Sequence, residues 1–246
     1  MRWIKGLIPT VIILLGALLL GCICYISIWG VPSFVVQRVE KALLEKGIPS
    51  HIETLKVTLW PRAVVTLKNV ELLDPEAMPE IRRPIVLLHE ADVALNWKKL
   101  IEGQVVPERV NVKGMNVTLP VDAGNPEKVF SVTGVNAELN LGRPGMVDIV
   151  KADAVVQGIR VTAQGAFPIG QDDSGDFTLT AQDMAAVREQ LNQVLNYMDR
   201  VKWPDASPPR LIVNLSDDPK GGVRIGMDLQ APFLRYGKIM VRDFLF

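Results

Sequence analysis

Hydrophobic and polar positions follow three successive rhythms along this chain. From Leu7 to Gln37 no charged residue occurs, and the apolar run Leu7–Gly30 predicts a helix of about 36 Å at about 1.5 Å per residue. That length crosses a hydrocarbon layer with some tilt. The anchor positions are Leu7, Ile12, Leu15, Leu19, Ile26 and Trp29, with Arg2 and Lys5 ahead of them. The positive-inside rule then predicts a cytoplasmic N-terminus in segment 1–31, with the bulk of the chain across the membrane. The run exceeds the roughly 7 to 15 apolar residues of a cleaved signal peptide. A second reading stays open, because Leu19-Leu20-Gly21-Cys22 is similar to a lipobox whose cysteine receives the lipid; against it, Ile23–Val31 remains apolar where a polar linker is usual.

The second rhythm is helical. Segment 32–48 predicts a short amphipathic helix, capped by Ser33 and ended by Gly47 and Pro49. Phe34, Val35, Val39, Ala42 and Leu43 form its expected apolar side, and Gln37, Arg38, Lys41 and Glu45 the polar one. Such a helix covers a sheet edge, plugs one end of the sheet, or rests on a membrane.

The third rhythm has period two and fills 49–181. Leu55, Val57 and Leu59 share a face. Val65 and Leu67 are in phase while Val70 and Leu72 are out of it, which predicts a bulge near Lys68 and Asn69. Leu87, Ala91, Val93, Leu95 and Trp97 align, with His89 on their face. A turn over Lys98–Gly103, a strand from Gln104, a break near Pro107 and a strand from Arg109 follow, then Gly114 and a strand through Val117 and Leu119. Phe130–Leu141, Val147–Val156 and Gly158–Phe167 repeat the alternation, and the short turns between them predict a meandering antiparallel sheet without a βαβ unit. Helical spacing returns over 182–203 through Met184, Val187, Leu191, Val194, Leu195 and Met198, with Asp183 as cap. Segment 204–246 resumes strands, with a turn at Pro232. The fold class is therefore mainly β with minor α.

Composition narrows the chemistry. The chain has 246 residues, with 27 basic and 27 acidic side chains, so no general field draws it to nucleic acid. Both cysteines, Cys22 and Cys24, fall in the apolar run, which leaves the remaining chain without a disulfide. Hydrolase, zincin, phosphate-loop and dinucleotide motifs are absent from the sequence. Asp172-Asp173 and Asp217-Asp218 sit beside Gly, Ser or Pro and read as solvated turns, and His89 has no second ligand at metal-like spacing. Asn116 and Asn214 match glycosylation acceptors but fall on strands. The expectation is a non-enzyme with no catalytic residue, metal or cofactor. On pattern alone, alternating strands describe a packed sandwich or barrel more readily than an open surface.

The order of these features resembles the N-terminal part of the bacterial AsmA-like family. The likeness is carried by Leu95–Gly103 with its Val110–Leu119 continuation, by Val65–Val70 ahead of it, and by Gly158–Gly165. It covers about residues 1–170 and rests on pattern rather than on an invariant motif. The resemblance implies an elongated, curled antiparallel sheet forming an open apolar β-groove. It also implies a single-pass inner-membrane anchor with the bulk periplasmic, and a role in binding or transferring membrane phospholipids toward the outer membrane. Leu55, Val57, Leu59, Val93, Leu95, Val117, Leu119, Leu139 and Val161 are the candidate groove residues. The alternative is an assembly scaffold whose partners are envelope proteins rather than lipid. Members of the family are commonly longer, so the expectation is a short member or a truncated chain whose groove spans part of the envelope. Nothing in the sequence indicates an oligomeric state.

Overall fold

The computed structural model describes residues 31–45, 47–59, 61–74, 84–122, 128–143, 145–168, 181–204, 206–217, 223–237 and 239–246. The anchor residues Leu7, Ile12, Leu15, Leu19, Ile26 and Trp29, and the lipobox Cys22, lie outside them, as do Asp172-Asp173. Among the described residues no helix is long and apolar enough to cross a membrane.

Among the described residues the protein is mainly β: eleven strands form one sheet, and three helices accompany it. The helices are α1 (Ser33–Glu45), α2 (Trp97–Ile101) and α3 (Ala181–Met198). Strands β1 (Ser50–Thr58), β2 (Val64–Leu73), β3 (Pro84–Leu95), β4 (Pro107–Pro120), β5 (Val129–Asn140), β6 (Met146–Val156) and β7 (Ile159–Pro168) make an antiparallel meander, each paired with the next. After α3 come β8 (Val201–Lys202), β9 (Arg210–Asp217), β10 (Val223–Tyr236) and β11 (Ile239–Leu245). The sheet is not closed: its order runs from β1 at one edge to β11 at the other, with β8 beside β10.

Several expectations change here. The meander is not unbroken, because β7 and β9 are parallel, with Arg160 opposite Arg210 and Gly165 opposite Leu215. Parallel strands need the chain to be back at the starting end before β9, so β7 and β9 are joined by a crossover connection that includes α3, where a continued antiparallel meander was expected. The stretch over Lys98–Gly103 is helical at its start, with Asn96 as N-cap, and Gln104 to Val106 are not a strand. Pro107 opens β4 rather than breaking it, as suits a residue without an N–H. Pro232 lies inside β10, opposite a register gap at Asp243 (φ 52), so its missing N–H removes no ladder bond. The turn is made at Gly237 instead. Leu59 falls just past the end of β1.

Helix α1 protects the β1 edge. Val31 N donates to Leu55 O at 2.8 Å, and Glu40 Oε1 accepts from Ile52 N at 2.7 Å while approaching His51 Nδ1 at 3.2 Å. These contacts occupy groups that would otherwise template another strand. Val36, Val39 and Leu43 pack on the core of Ile52, Leu55 and Val70. Phe34, expected on that side, is exposed. At the far end of the chain α3 docks through Leu195, which is buried, through Arg188 Nη2 to Asp74 Oδ1 at 3.0 Å, and through Asn196, whose Oδ1 accepts from Lys128 Nζ at 2.7 Å. Val194, read as part of its apolar stripe, is exposed.

The parallel junction has a strict steric requirement. Gly165 (φ +125) sits where an added Cβ would run into the backbone of Leu215. A Gly165→Ala substitution should therefore destabilise the protein by about 3 kcal/mol, at the upper end of ordinary overpacking costs. Urea unfolding followed by circular dichroism measures it. Wild-type stability in the variant would show that β7 and β9 do not approach as described.

Candidate functional site: the apolar face of the open sheet

Cross-strand register places the apolar residues of successive strands in continuous rows. One row runs Leu55, Leu67, Ala91, Val112 and Ala137 from β1 to β5, and continues through Ala152, Ala163, Val213 and Met227. The next runs Val57, Val65, Val93, Val110 and Leu139, then Ile149, Gly165, Leu215 and Ile225. Most of these side chains are half-buried rather than buried. Near α1 the face is covered, with Leu55 9% and Ala91 5% exposed, whereas Ile225 and Met227 on β10 are 54% and 59% exposed. The alanines on β3, β5, β6 and β7 make a low floor between taller rows.

In β1 to β5 both rows lie on one side of a phase slip that every one of these strands carries, and the slip brings the apolar residues beyond it onto the same face. The slip falls between Ile52 and Leu55, Leu67 and Val70, Leu88 and Ala91, Val112 and Met115, and Val132 and Val135. In a regular pleat, residues three apart point to opposite faces. Here Ile52, Leu55, Val70, Leu67 and Leu88 join one cluster. The reversal is made by left-handed residues, Asn69 (φ 49), Gly114 (φ 65) and Gly134 (φ 62). The ladder skips Glu53, Asn69, His89 and Gly114, and side chains supply hydrogen bonds along that line. Asn69 Nδ2 donates to Glu53 Oε2 at 2.6 Å, and His89 Nδ1 lies 3.2 Å from Asn69 Oδ1. Between β4 and β5 the arrangement is reciprocal: Gly114 N donates to Asn136 Oδ1 at 3.1 Å, and Gly134 N to Asn116 Oδ1 at 2.8 Å.

The seam explains which expected residues come together. Leu55, Val57, Val93, Leu139 and Val161 share the apolar face on one side of it, and Val117 and Leu119 share that face on the other. Leu95 ends β3 in phase with Val93, and Leu59 does not join a row. The bulge expected near Lys68 and Asn69 is a left-handed Asn69 without an inserted residue. Leu87 was expected beside Ala91, but the slip at His89 turns it away, and it pairs with Glu71 and Asn116 while Leu88 joins the core. Trp97 starts α2 and is not in the strand. His89 is exposed and hydrogen-bonded at the seam. Sequence reasoning missed the signal: Gly114-Met115-Asn116 and Gly134-Val135-Asn136 repeat one Gly-x-Asn pattern on adjacent strands.

The opposite face is polar and ion-paired. Glu90 accepts from Lys113 Nζ at 2.5 Å and Lys68 Nζ at 2.8 Å, and Asp92 accepts from Thr66 Oγ1 at 2.7 Å. Lys151 Nζ meets Asp153 Oδ2 at 2.8 Å, and this contact holds the Asp153 carboxyl below its ordinary range. Hydrogen bonds from Lys113 and Lys68 lower the Glu90 carboxyl to about 2. Among the described residues no cluster of His, Cys, Asp or Glu is placed to hold a metal. The sheet thus carries one apolar, half-exposed face and one charged, solvated face. Comparison with known proteins yields no match: no family model, no curated protein and no solved structure is similar to the chain.

Because Glu90 ionises more readily folded than unfolded, its contribution to stability is complete above about pH 4.5 and is lost as pH falls toward about 2. Glu90→Gln should lower the melting temperature at pH 7 and make little difference near pH 2. Thermal melts of both proteins across that window check this; an equal deficit at both ends would remove the carboxylate from the explanation.

Proposed function

We propose that this chain is a membrane-tethered lipid-binding protein of the AsmA-like kind. Its sheet curls into an elongated groove that shields phospholipid acyl chains and passes them from the inner membrane toward the outer membrane, with the bulk of the chain periplasmic. The observation that carries this reading is the pair of apolar rows crossing from β1 to β10, half-exposed along most of their length over an alanine floor. Such a surface is costly in water, at about 25 cal/mol per Å² of apolar area. An acyl chain laid along it gains about 0.8 kcal/mol per buried methylene. Affinity from that source is additive and indifferent to headgroup, which suits a carrier better than a catalyst. Leu7–Gly30 supplies the tether in this reading.

A second reading, the assembly scaffold, draws on a different observation. The β11 edge carries exposed Ile239, Met240 and Leu245, and an open edge of that kind can accept a strand from another protein.

Site-specific photo-crosslinking in bacterial cells separates the two. A photoreactive residue replacing Val93 or Leu139 should give phospholipid adducts, and one replacing Asn111 on the polar face should not. Val93→Asp combined with a probe at Leu139 should lower lipid adducts by about tenfold or more, since a carboxylate in an acyl path costs several kcal/mol. Circular dichroism verifies that the variant folds. Protein adducts at Met240 with no lipid adduct at Val93 or Leu139 would favour the scaffold instead.

A further inference from the structure

We propose that the β3–β4 connection, residues 96–106, is a preformed tip that inserts into the surface of an anionic phospholipid bilayer. Four large apolar side chains project from this short segment: Trp97 is 46% exposed, Ile101 73%, Val105 72% and Val106 38%. Isolated exposed hydrophobics need no explanation, but four within ten residues form a patch that asks for a cover.

The exposure is held in place by the backbone. Asn96 Oδ1 caps α2 by accepting from Lys99 N at 2.9 Å, and Asn96 Nδ2 donates to Glu108 Oε1 at 2.6 Å across the mouth of the connection. Asn96 N also donates to Val106 O at 2.8 Å, and Gln104 N to Lys99 O at 2.8 Å. These bonds close the connection on itself, so the apolar side chains are presented by an ordered tip. Trp97 and Ile101 stand four residues apart on α2 and so share a side of it.

The charges point to the occupant. Lys98 has no carboxylate within ion-pair distance among the described residues, and Lys99 pairs with Glu102 at 2.9 Å. The antiparallel order brings the β1–β2 and β5–β6 turns to the same end of the sheet. There Arg62, also without an ion pair among the described residues, lines a cavity of about 530 Å³ with Trp97 and Arg109. Glu108 borders that cavity and is engaged by Asn96, and Arg109 lies 3.7 Å from Glu138. Tryptophan with aliphatic tips and flanking cations is the side-chain set that partitions into the headgroup boundary of an anionic membrane. The inference rests on the lipid-binding reading and deepens it by assigning where a bilayer meets the domain.

The test uses the full chain with Cys22→Ser and Cys24→Ser, reconstituted into vesicles of phosphatidylglycerol and phosphatidylethanolamine. A single cysteine bearing an environment-sensitive fluorophore is placed by Ile101→Cys, Val105→Cys or, as a control on the polar face, Gln164→Cys. The probes at 101 and 105 should shift to the blue, resist iodide and be quenched by lipids brominated on the acyl chain, while the probe at 164 stays in water. Adding Arg62→Gln and Lys98→Gln should reduce the shift, as should phosphatidylcholine vesicles. Equal iodide quenching at 101, 105 and 164 overturns the proposal, as does protection that occurs in cells but not in vesicles, which would mean that a protein covers the tip. Lipid adducts at Val93 and Leu139 are scored in the same samples. Their persistence with a water-exposed tip sinks this inference alone, and their loss with an inserted tip sinks the groove reading alone.

Discussion

The two-faced character of this sheet depends on a line of side-chain hydrogen bonds. If β1 to β5 were regular strands, the apolar residues beyond the slip would turn to the charged face, and the apolar surface would end at the seam. Asn69, Gly114 and Gly134 reverse the pleat; Asn136 and Asn116 accept from the freed amides of Gly114 and Gly134, and the Asn69 side chain bridges Glu53 and His89 along the same line. Gly114 has a second reason to lack a side chain, since an added Cβ would come within 3.2 Å of the His89 Cβ. The seam works because neighbouring strands slip together. A slip in one strand alone would put that strand's apolar side chains on the wrong face.

A second constraint acts where the meander ends. Once β7 has been laid down, a hairpin would have continued the antiparallel order. The chain instead returns through a connection that includes α3, and β9 joins parallel to β7 with Gly165 close against Leu215. Helix α3 is held at the sheet end by the pairing of Arg188 with the buried Asp74 and by Leu195. It therefore leaves much of the apolar face uncovered. The two edges are treated differently: α1 satisfies β1 through Val31 and Glu40, while β11 presents apolar residues. Coverage thus falls from the α1 end toward β10 and β11, giving the apolar face a closed and an open side.

Charge follows the same division. The ion pairs of Lys68, Glu90 and Lys113 lie across three neighbouring strands on the solvated face. Exposed pairs of this type contribute little individually, but they set that face against association. The apolar face has no such protection, and this contrast is what the lipid reading rests on.

Period-two alternation was enough to read mainly β structure and the meander of β1 to β7, because a half-buried strand writes its faces into consecutive residues, and helical spacing with its caps marked both longer helices. The phase break at Lys68 and Asn69 was legible for the same reason. Its partners in β1, β3, β4 and β5 were not: each looks like a local irregularity until cross-strand register aligns them, and so Leu87 was assigned the face that belongs to Leu88. The parallel joining of β9 was equally hidden, since strand direction depends on the end of the sheet from which the chain re-enters, a matter of tertiary packing rather than of local periodicity. Sequence alone determined that apolar residues alternate with polar ones along these strands. Only the tertiary structure decided that the alternating positions, slipping together at the seam, form one apolar face on an open sheet, because side-chain direction is local whereas register and coverage are properties of neighbouring strands.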